Sequence, residues 1–529
     1  MHIQVLEGRL DGAPQLDWPD SLPVKRAVVR AYLDRLQPGE ILRVDELERE
    51  VFLINDLRGV TARFEIVQGA LPGTSALRVT GQAESQWSGK VDADVNGSRF
   101  LGSARVAGLL AANSPLGRGD ALTLNALAST SGGLYFGLLG YTLPVGSDGI
   151  KIGASLSLLR YRLDPVLIPL DVNGDALTFS AYALYPWLRS RNLNLFGVGT
   201  LDQKQNTDRT AGFNVRRGIS TATPGLTGEW RDNLLGGAVS TFEANLAAGQ
   251  VRYAGGPPDN LDDAANFSRL TLGLNRLQNL ADGRLLLYTA LRAQLALANL
   301  DTSEQFRIGG PDGVRAFAPG EGTGDSGLVL SAELRLLPPE AWLGRLARET
   351  VFSLFVDHGE LRPRHDASRQ NARFVNTAAY TGAGLSVAWE RPRSFALRVQ
   401  PVVAVGRPGQ IGHPGPQPAA VRPVQPVFLA GTAPCDPPDL PQRCHISGGS
   451  GAVLGAALGA VYALRSNPSA WRSCWPLRRP AGRCRRREWS PWARWWCSRR
   501  PAPRCKSCKA VPRPGSTGAI FPSPLASGC

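Results

Sequence analysis

Residues 306–335 read FRIGGPDGVRAFAPGEGTGDSGLVLSAELR, and the two halves of this stretch obey different rules. Up to Ser326 it is crowded with glycine and carries Pro311 and Pro319. Neither a helix nor a paired strand accommodates that composition, so a long loop over 298–326 is predicted. Beyond it the pattern has a period of two. Leu328, Leu330, Ala332, Leu334 and Leu336 fall on one face, and Ser331, Glu333 and Arg335 on the other. That is a strand with one apolar and one polar side. The segment before the loop repeats the design, with Leu291, Ala293, Leu295 and Leu297 alternating with Arg292 and Gln294. A large loop therefore joins two half-polar strands. Inside it, Val314-Arg315-Ala316-Phe317 sets one arginine among apolar neighbours.

Working outward, strand-like segments follow one another from Trp87 to about residue 405. They lie near 87–97, 103–113, 120–130, 132–145, 150–163, 174–190, 193–208, 211–225, 238–251, 267–280, 284–297, 327–337, 350–361, 377–390 and 395–405. Short connections (146–149, 281–283, 391–394) and long ones (252–266, 298–326, 362–376) fall at opposite ends of the strands. A transmembrane barrel has that asymmetry, and it needs no apolar helix. A propeller or solenoid would repeat at a fixed sequence period, and none is visible. Bacterial barrels close with even strand numbers, so fifteen segments imply that one strand, the last, is missing.

Upstream, 24–36 has helical spacing on Val24, Val28, Ala31, Tyr32 and Leu36. Asp45 is placed to cap a second helix through Leu47, Val51, Ile54 and Leu57, ended by Gly59. Val60–Ile66 and Ser75–Thr80 then alternate as a strand pair. Together they form a small α/β module over 11–84, with 1–10 as the remnant of a preceding one. The fold class is mainly β: this module, then an antiparallel barrel over 85–405.

The net charge of +15 does not describe the barrel. Residues 406–529 hold 18 Lys/Arg against 3 Asp/Glu, all eight cysteines and six of the twelve tryptophans, whereas the first 405 residues balance 41 against 41. A neutral body gives no footing for nucleic acid. The Pro/Arg/Trp/Cys-rich tail 406–529 is expected to be disordered or translated out of frame. The start shows no basic segment followed by an apolar run, so a signal peptide is expected to be missing.

Catalysis and metal binding find no support. The five histidines are scattered, and Cys505-Lys-Ser-Cys508 lacks a second pair. Gly322-Thr-Gly324-Asp-Ser-Gly327 matches G-x-G-x-x-G in letters but precedes a strand instead of opening a helix. Neither an enzyme nor a cofactor site is expected.

The stretch GGPDGVRAFAPGEGTGDSG before a strand resembles the sixth-loop motif of two-partner secretion transporters, the ShlB/FhaC/HecB haemolysin secretion/activation proteins. LQPGEILRVDELEREVFLINDLRGVTARFEIVQGALPGTSALRV resembles their second POTRA domain, HIQVLEGRL the last strand of the first, and NSPLGRGDALTL the segment after the first barrel hairpin. The tetrad is commonly Val-Arg-Gly followed by an aromatic; here Ala316 stands third. The resemblance implies a sixteen-stranded barrel in the bacterial outer membrane with POTRA domains in the periplasm. It implies a large secreted exoprotein with an N-terminal secretion domain as partner, outer-membrane lipid around the barrel, and the barrel-assembly machinery for insertion. It implies that the loop motif (Gly309, Gly310, Val314, Arg315, Ala316, Phe317) folds into the barrel, where Arg315 meets Asp357 of Phe355-Val356-Asp357. POTRA residues facing the partner would include Phe64, Ile66, Leu77 and Val79. Two other readings stay open: a barrel-assembly-type insertase, and the inactive product of a damaged gene.

Overall fold

The computed structural model describes residues 8–405, save 72, 211, 255–262, 369, 371–374 and 393, and the backbone of 421–430.

The N-terminal module contains β1 (Arg9–Leu10), β2 (Gln15–Asp17), α1 (Arg26–Leu33), α2 (Val44–Asn55), β3 (Val60–Gln68) and β4 (Thr74–Ala83). β3 pairs antiparallel with β4, and β1 and β2 both run parallel to β4. The expected break after residue 10 is corrected by this pairing. Leu10 is buried with Val29, Leu33, Leu53, Ile54, Leu77 and Val79 in one core, so Arg9–Leu10 belong to this module. α2 starts earlier than expected. Arg43 flanks it without a side-chain cap, and Asp45 sits in the first turn, where its charge complements the helix dipole instead of capping.

The barrel strands are β5 (Trp87–Asp94), β6 (Arg105–Asn113), β7 (Ala121–Ser129), β8 (Leu134–Val145), β9 (Ile150–Arg162), β10 (Asn173–Arg189), β11 (Leu193–Thr210), β12 (Phe213–Asp232), β13 (Ala238–Ala254), β14 (Asn266–Ala281) and β15 (Leu285–Ala296). Two-residue β16 (Phe306–Arg307) and β17 (Thr323–Gly324) pair with each other inside the long loop. β18 (Ser326–Leu336), α3 (Glu340–Leu343), β19 (Thr350–Arg362), β20 (Ala378–Arg391), β21 (Phe395–Ala404) and β22 (Val421–Ala430) follow. Sixteen of these strands close into one antiparallel barrel that omits β16 and β17.

The fifteen expected segments are all strands. The expectation that the last strand is missing is corrected: β22 pairs with β21 and closes onto β5. Its sequence, VRPVQPVFLA, hides it, because Pro423 and Pro426 lack the N–H that a central strand donates. The closing seam is short, pairing Phe428–Ala430 with Val91–Ala93. Expectations about the rest of the 406–529 tail and about residues 1–7 lie outside the described residues.

Leu124, Leu156, Leu158, Leu201, Leu330 and Leu385 stand exposed on the outer wall. Serine, threonine, asparagine and charged side chains take the inner positions, as a membrane barrel requires.

The module packs against the short-turn end of the barrel. Arg189 donates to both oxygens of Asp56 at 3.2 and 3.0 Å and stacks over Phe52. Arg49 donates to the carbonyls of Asp148 and Pro186. Glu50 on α2 is almost fully buried, and burial pushes its carboxyl up to about 7, although Arg35 lies 3.2 Å away. A raised folded value means a stability contribution that is complete below the ordinary value of 4.5 and lost as pH rises through about 7. Amide exchange of Leu53 and Ile54, corrected for intrinsic rates, should lose protection by roughly one to two orders of magnitude between pH 5 and 8. Glu50→Gln should flatten that dependence; an unchanged slope in the variant would show that another group titrates.

Candidate functional site

The long loop enters the barrel because its sequence can turn tightly and its wall is cut back to receive it. A Cβ on Gly313 would lie 2.1 Å from the Ile308 carbonyl oxygen, and one on Gly309 would lie 2.5 Å from that of Ala318. Gly310 sits at φ +114°, a backbone region that L side chains rarely adopt. These glycines fold 306–324 into a compact knot in which the Val314 amide donates to Ile308 O at 2.7 Å and Gly310 N to Phe317 O at 3.0 Å.

The facing wall is formed by β18, β19 and β20. A Cβ on Gly382 would fall 2.7 Å from the Ala316 methyl, and one on Gly359 would fall 3.1 Å from Val314. Glycine at these inward positions makes the slot. Val314, Ala316 and Phe317 fill it with Ile308, Phe355 and Tyr380 as one buried cluster. Phe317 meets Tyr380 edge-on at 4.6 Å.

Arg315 is the polar centre of this cluster. Its Nε and Nη2 donate to the two oxygens of Asp357, each at 2.8 Å, and its backbone N–H donates to Asp357 Oδ2 at 3.1 Å. Nη1 donates to Glu333 Oε2 at 2.9 Å, and Arg335 donates to the other Glu333 oxygen at 3.0 Å. The guanidinium lies 3.4 Å from the centroid of the Phe355 ring. Asp357 is fully buried and Glu333 nearly so. Two arginines and two carboxylates thus neutralise one another away from water, with a planar fork matched to a carboxylate.

The structure brings together Gly309, Gly310, Val314, Arg315, Ala316, Phe317, Phe355 and Asp357. It separates the four residues assigned to the module surface. Leu77 and Val79 are 1% and 0% exposed and belong to the module core, so they cannot meet a partner there. Phe64 is half-buried against that core, and Ile66 is 57% exposed.

Sequence reading missed Glu333 as the second carboxylate, although it already lay on the polar face of its strand. It also missed a second fastening at the loop's entry. Glu304, fully buried, pairs with Lys204 of β11 and with Arg269 of β14 at 2.9 Å. Asp301 pairs with Arg217 of β12 at 2.8 Å. No local spacing links these residues. Two acids in a stretch otherwise poor in charge were the available signal.

A closed membrane barrel, polar inside, with a loop clamped to its inner wall and an α/β module at the short-turn end, defines an outer-membrane β-barrel with an inward-folded loop. The model of the haemolysin secretion/activation protein ShlB/FhaC/HecB family matches residues 73–387, and the chain belongs to that family. The heme/hemopexin transporter protein HuxB of Haemophilus influenzae is 24% identical over 68% of this chain and 64% of its own length, so the chain spans less than two thirds of that relative. The outer membrane transporter CdiB of Dickeya dadantii is 26% identical over 77% of this chain and 73% of its own. The solved structure of CdiB from Escherichia coli superposes with a TM-score of 0.65 at 19% identity, covering 80% of this chain and 76% of that one.

Arg315→Ala strands Asp357 without its counter-ion, a loss of about 3–5 kcal/mol for a buried pair. Protease cleavage within 298–326 in the membrane-embedded protein should then rise by roughly two to three orders of magnitude. Gly382→Val, which removes no charge, should act in the same direction by denying Ala316 its slot. Equal cleavage in parent and both variants would refute the clamp.

Proposed function

We propose that this chain is a protein-conducting pore of two-partner secretion, passing a large exoprotein across the outer membrane. The observation that carries this reading is the Arg315–Asp357 clamp. It fastens a loop, not a strand of the wall, inside a polar lumen. A permanent plug needs no reversible fastening. A gate does, and ion pairs exchange readily for water once the lumen is wet.

In this reading the module is a POTRA domain in the periplasm that captures an extended segment of the exoprotein. β3 supports the assignment. It pairs only with β4 among the described residues, so its outer edge is open for an added strand. Asn55 covers that edge at Ala62, donating to its carbonyl and accepting from its amide. By alternation, the backbone groups of Phe64 and Ile66 point the same way, beyond the cover. Captured chain would pair there, with the exposed Ile66 side chain as contact. Substrate entry into the lumen would then compete for the loop's ion pairs.

Secretion is tested by expressing the chain with a large candidate exoprotein that carries an N-terminal secretion domain and measuring exoprotein in the medium. Ile66→Pro removes one edge N–H and should lower secretion about tenfold, the effect of one lost hydrogen bond. Ile66→Thr, which keeps the backbone group, should lower it less. Full secretion with Ile66→Pro would remove strand addition at β3 from the mechanism.

A further inference from the structure

The outer wall carries a charged feature that gating does not use. On β9–β13, positions facing away from the lumen are apolar through the middle of the strands, with Leu156 paired to Phe179 and Leu158 to Leu177. At the long-loop ends of the same strands that outward face turns basic. One row runs Arg160–Asp175–Thr207–Arg216 across four strands. The next row toward the rim runs Arg162–Asn173–Arg209. Strands about 4.8 Å apart, with a rise of about 3.4 Å per residue, place Arg160, Arg162 and Arg209 within roughly 12 Å of one another.

Two acids share the patch and do not neutralise it. Asp171 pairs with Arg162 at 3.3 Å and Asp175 with Arg209 at 2.8 Å, both at exposed positions. Exposed pairs of this kind contribute little and exchange partners freely. The side chains of Arg160 and Arg216 stand exposed, with no ion pair or side-chain hydrogen bond among the described residues. A cleft of about 480 Å³ opens at the same place, lined by Arg160, Arg162, Arg209, Asp171 and Asp175, with Tyr135 at its side. Tyr135 pairs across from Arg160 and is itself exposed, an amphipathic ring at the border between apolar wall and charged rim.

We infer that this cleft binds the phosphorylated headgroup of an outer-leaflet lipid of the lipid A type. Arginine forks match phosphate oxygens bidentately. Leu158 and Leu177 directly below would lie along the acyl chains. A soluble anion would use only the upper half of this surface, whereas a lipid uses both. The inference rests on the reading that the long-loop end faces outward, and it adds a site to that reading.

The test uses the full chain folded in detergent micelles, with bound lipid counted by native mass spectrometry. Bisphosphorylated lipid A should bind at least about tenfold more tightly than fully dephosphorylated lipid A, and Arg160→Gln/Arg162→Gln/Arg209→Gln should erase the difference. Equal binding of the two lipids, or an unchanged preference in the variant, overturns the site. Displacement of lipid A by an equal concentration of inorganic phosphate overturns its assignment to a lipid. Heat-modifiable gel mobility, measured on both proteins, reports the folded barrel independently. An epitope inserted in the 163–172 connection and stained on intact cells reports the orientation. If either of these fails, the barrel or its orientation falls and the inference falls with it; if both hold while the lipids bind equally, only the site falls.

Discussion

A carboxylate with no exposed surface, placed on the inner wall of a barrel, must have a fixed counter-charge or lose its ionised form. Asp357 is such a group, and among the described residues the only arginine that reaches its two oxygens comes from the loop, not from the wall. The position of the loop is therefore tied to the charge of a strand residue. Around that pair everything else is arranged to keep water out. Phe355 lies under the guanidinium, Val314 and Ala316 fill the notches at Gly359 and Gly382, and Glu333 accepts from the third guanidinium nitrogen, Nη1.

The tip would be a weak hinge if it acted alone. The loop's entry is held separately by Asp301 and Glu304 against β11, β12 and β14, while its tip is held by β18 and β19. Only β15 separates β14 from β18, while β11 and β12 lie further round the wall, so the loop spans from one arc of the barrel to another. On the gating reading, displacing it means releasing two groups of buried charges. Water entering the lumen lowers the cost of both at once, because each carboxylate and guanidinium regains its hydration.

Much of this was legible in the residues. Period-two alternation located fifteen barrel strands, because one face of each meets an apolar surrounding and the other a wet interior. β22 was lost because Pro423 and Pro426 break the donor pattern that marks a strand, while the closing seam has little pairing to protect. The clamp was legible through Arg315 and the Phe355–Asp357 motif. Its second carboxylate, Glu333, was not, since a glutamate on a polar strand face looks the same whether it meets solvent or an arginine. Gly359 and Gly382 carried a readable signal: glycine on the inner face of a strand marks a close approach by other backbone or side chains. In the module, alternation placed Leu77 and Val79 on a face, but only packing tells which face the helices cover. The second fastening joins Glu304 to Arg269 and Lys204, 35 and 100 residues away in the chain, and no local pattern encodes such a contact.

The clamp requires the loop tip to rest in its slot in the membrane-embedded protein. Ala316→Cys/Gly382→Cys, in a chain whose eight native cysteines are replaced by serine, tests this directly. The Ala316 methyl lies 2.7 Å from where a side chain at 382 would begin, so slight relaxation brings the pair to the usual Cβ separation of about 3.5–4.5 Å. Mild oxidation should join the two cysteines nearly completely and leave neither open to a bulky maleimide. Persistent labelling of Cys at 316 under oxidising conditions, with no crosslink formed, would place the loop elsewhere and contradict the clamp.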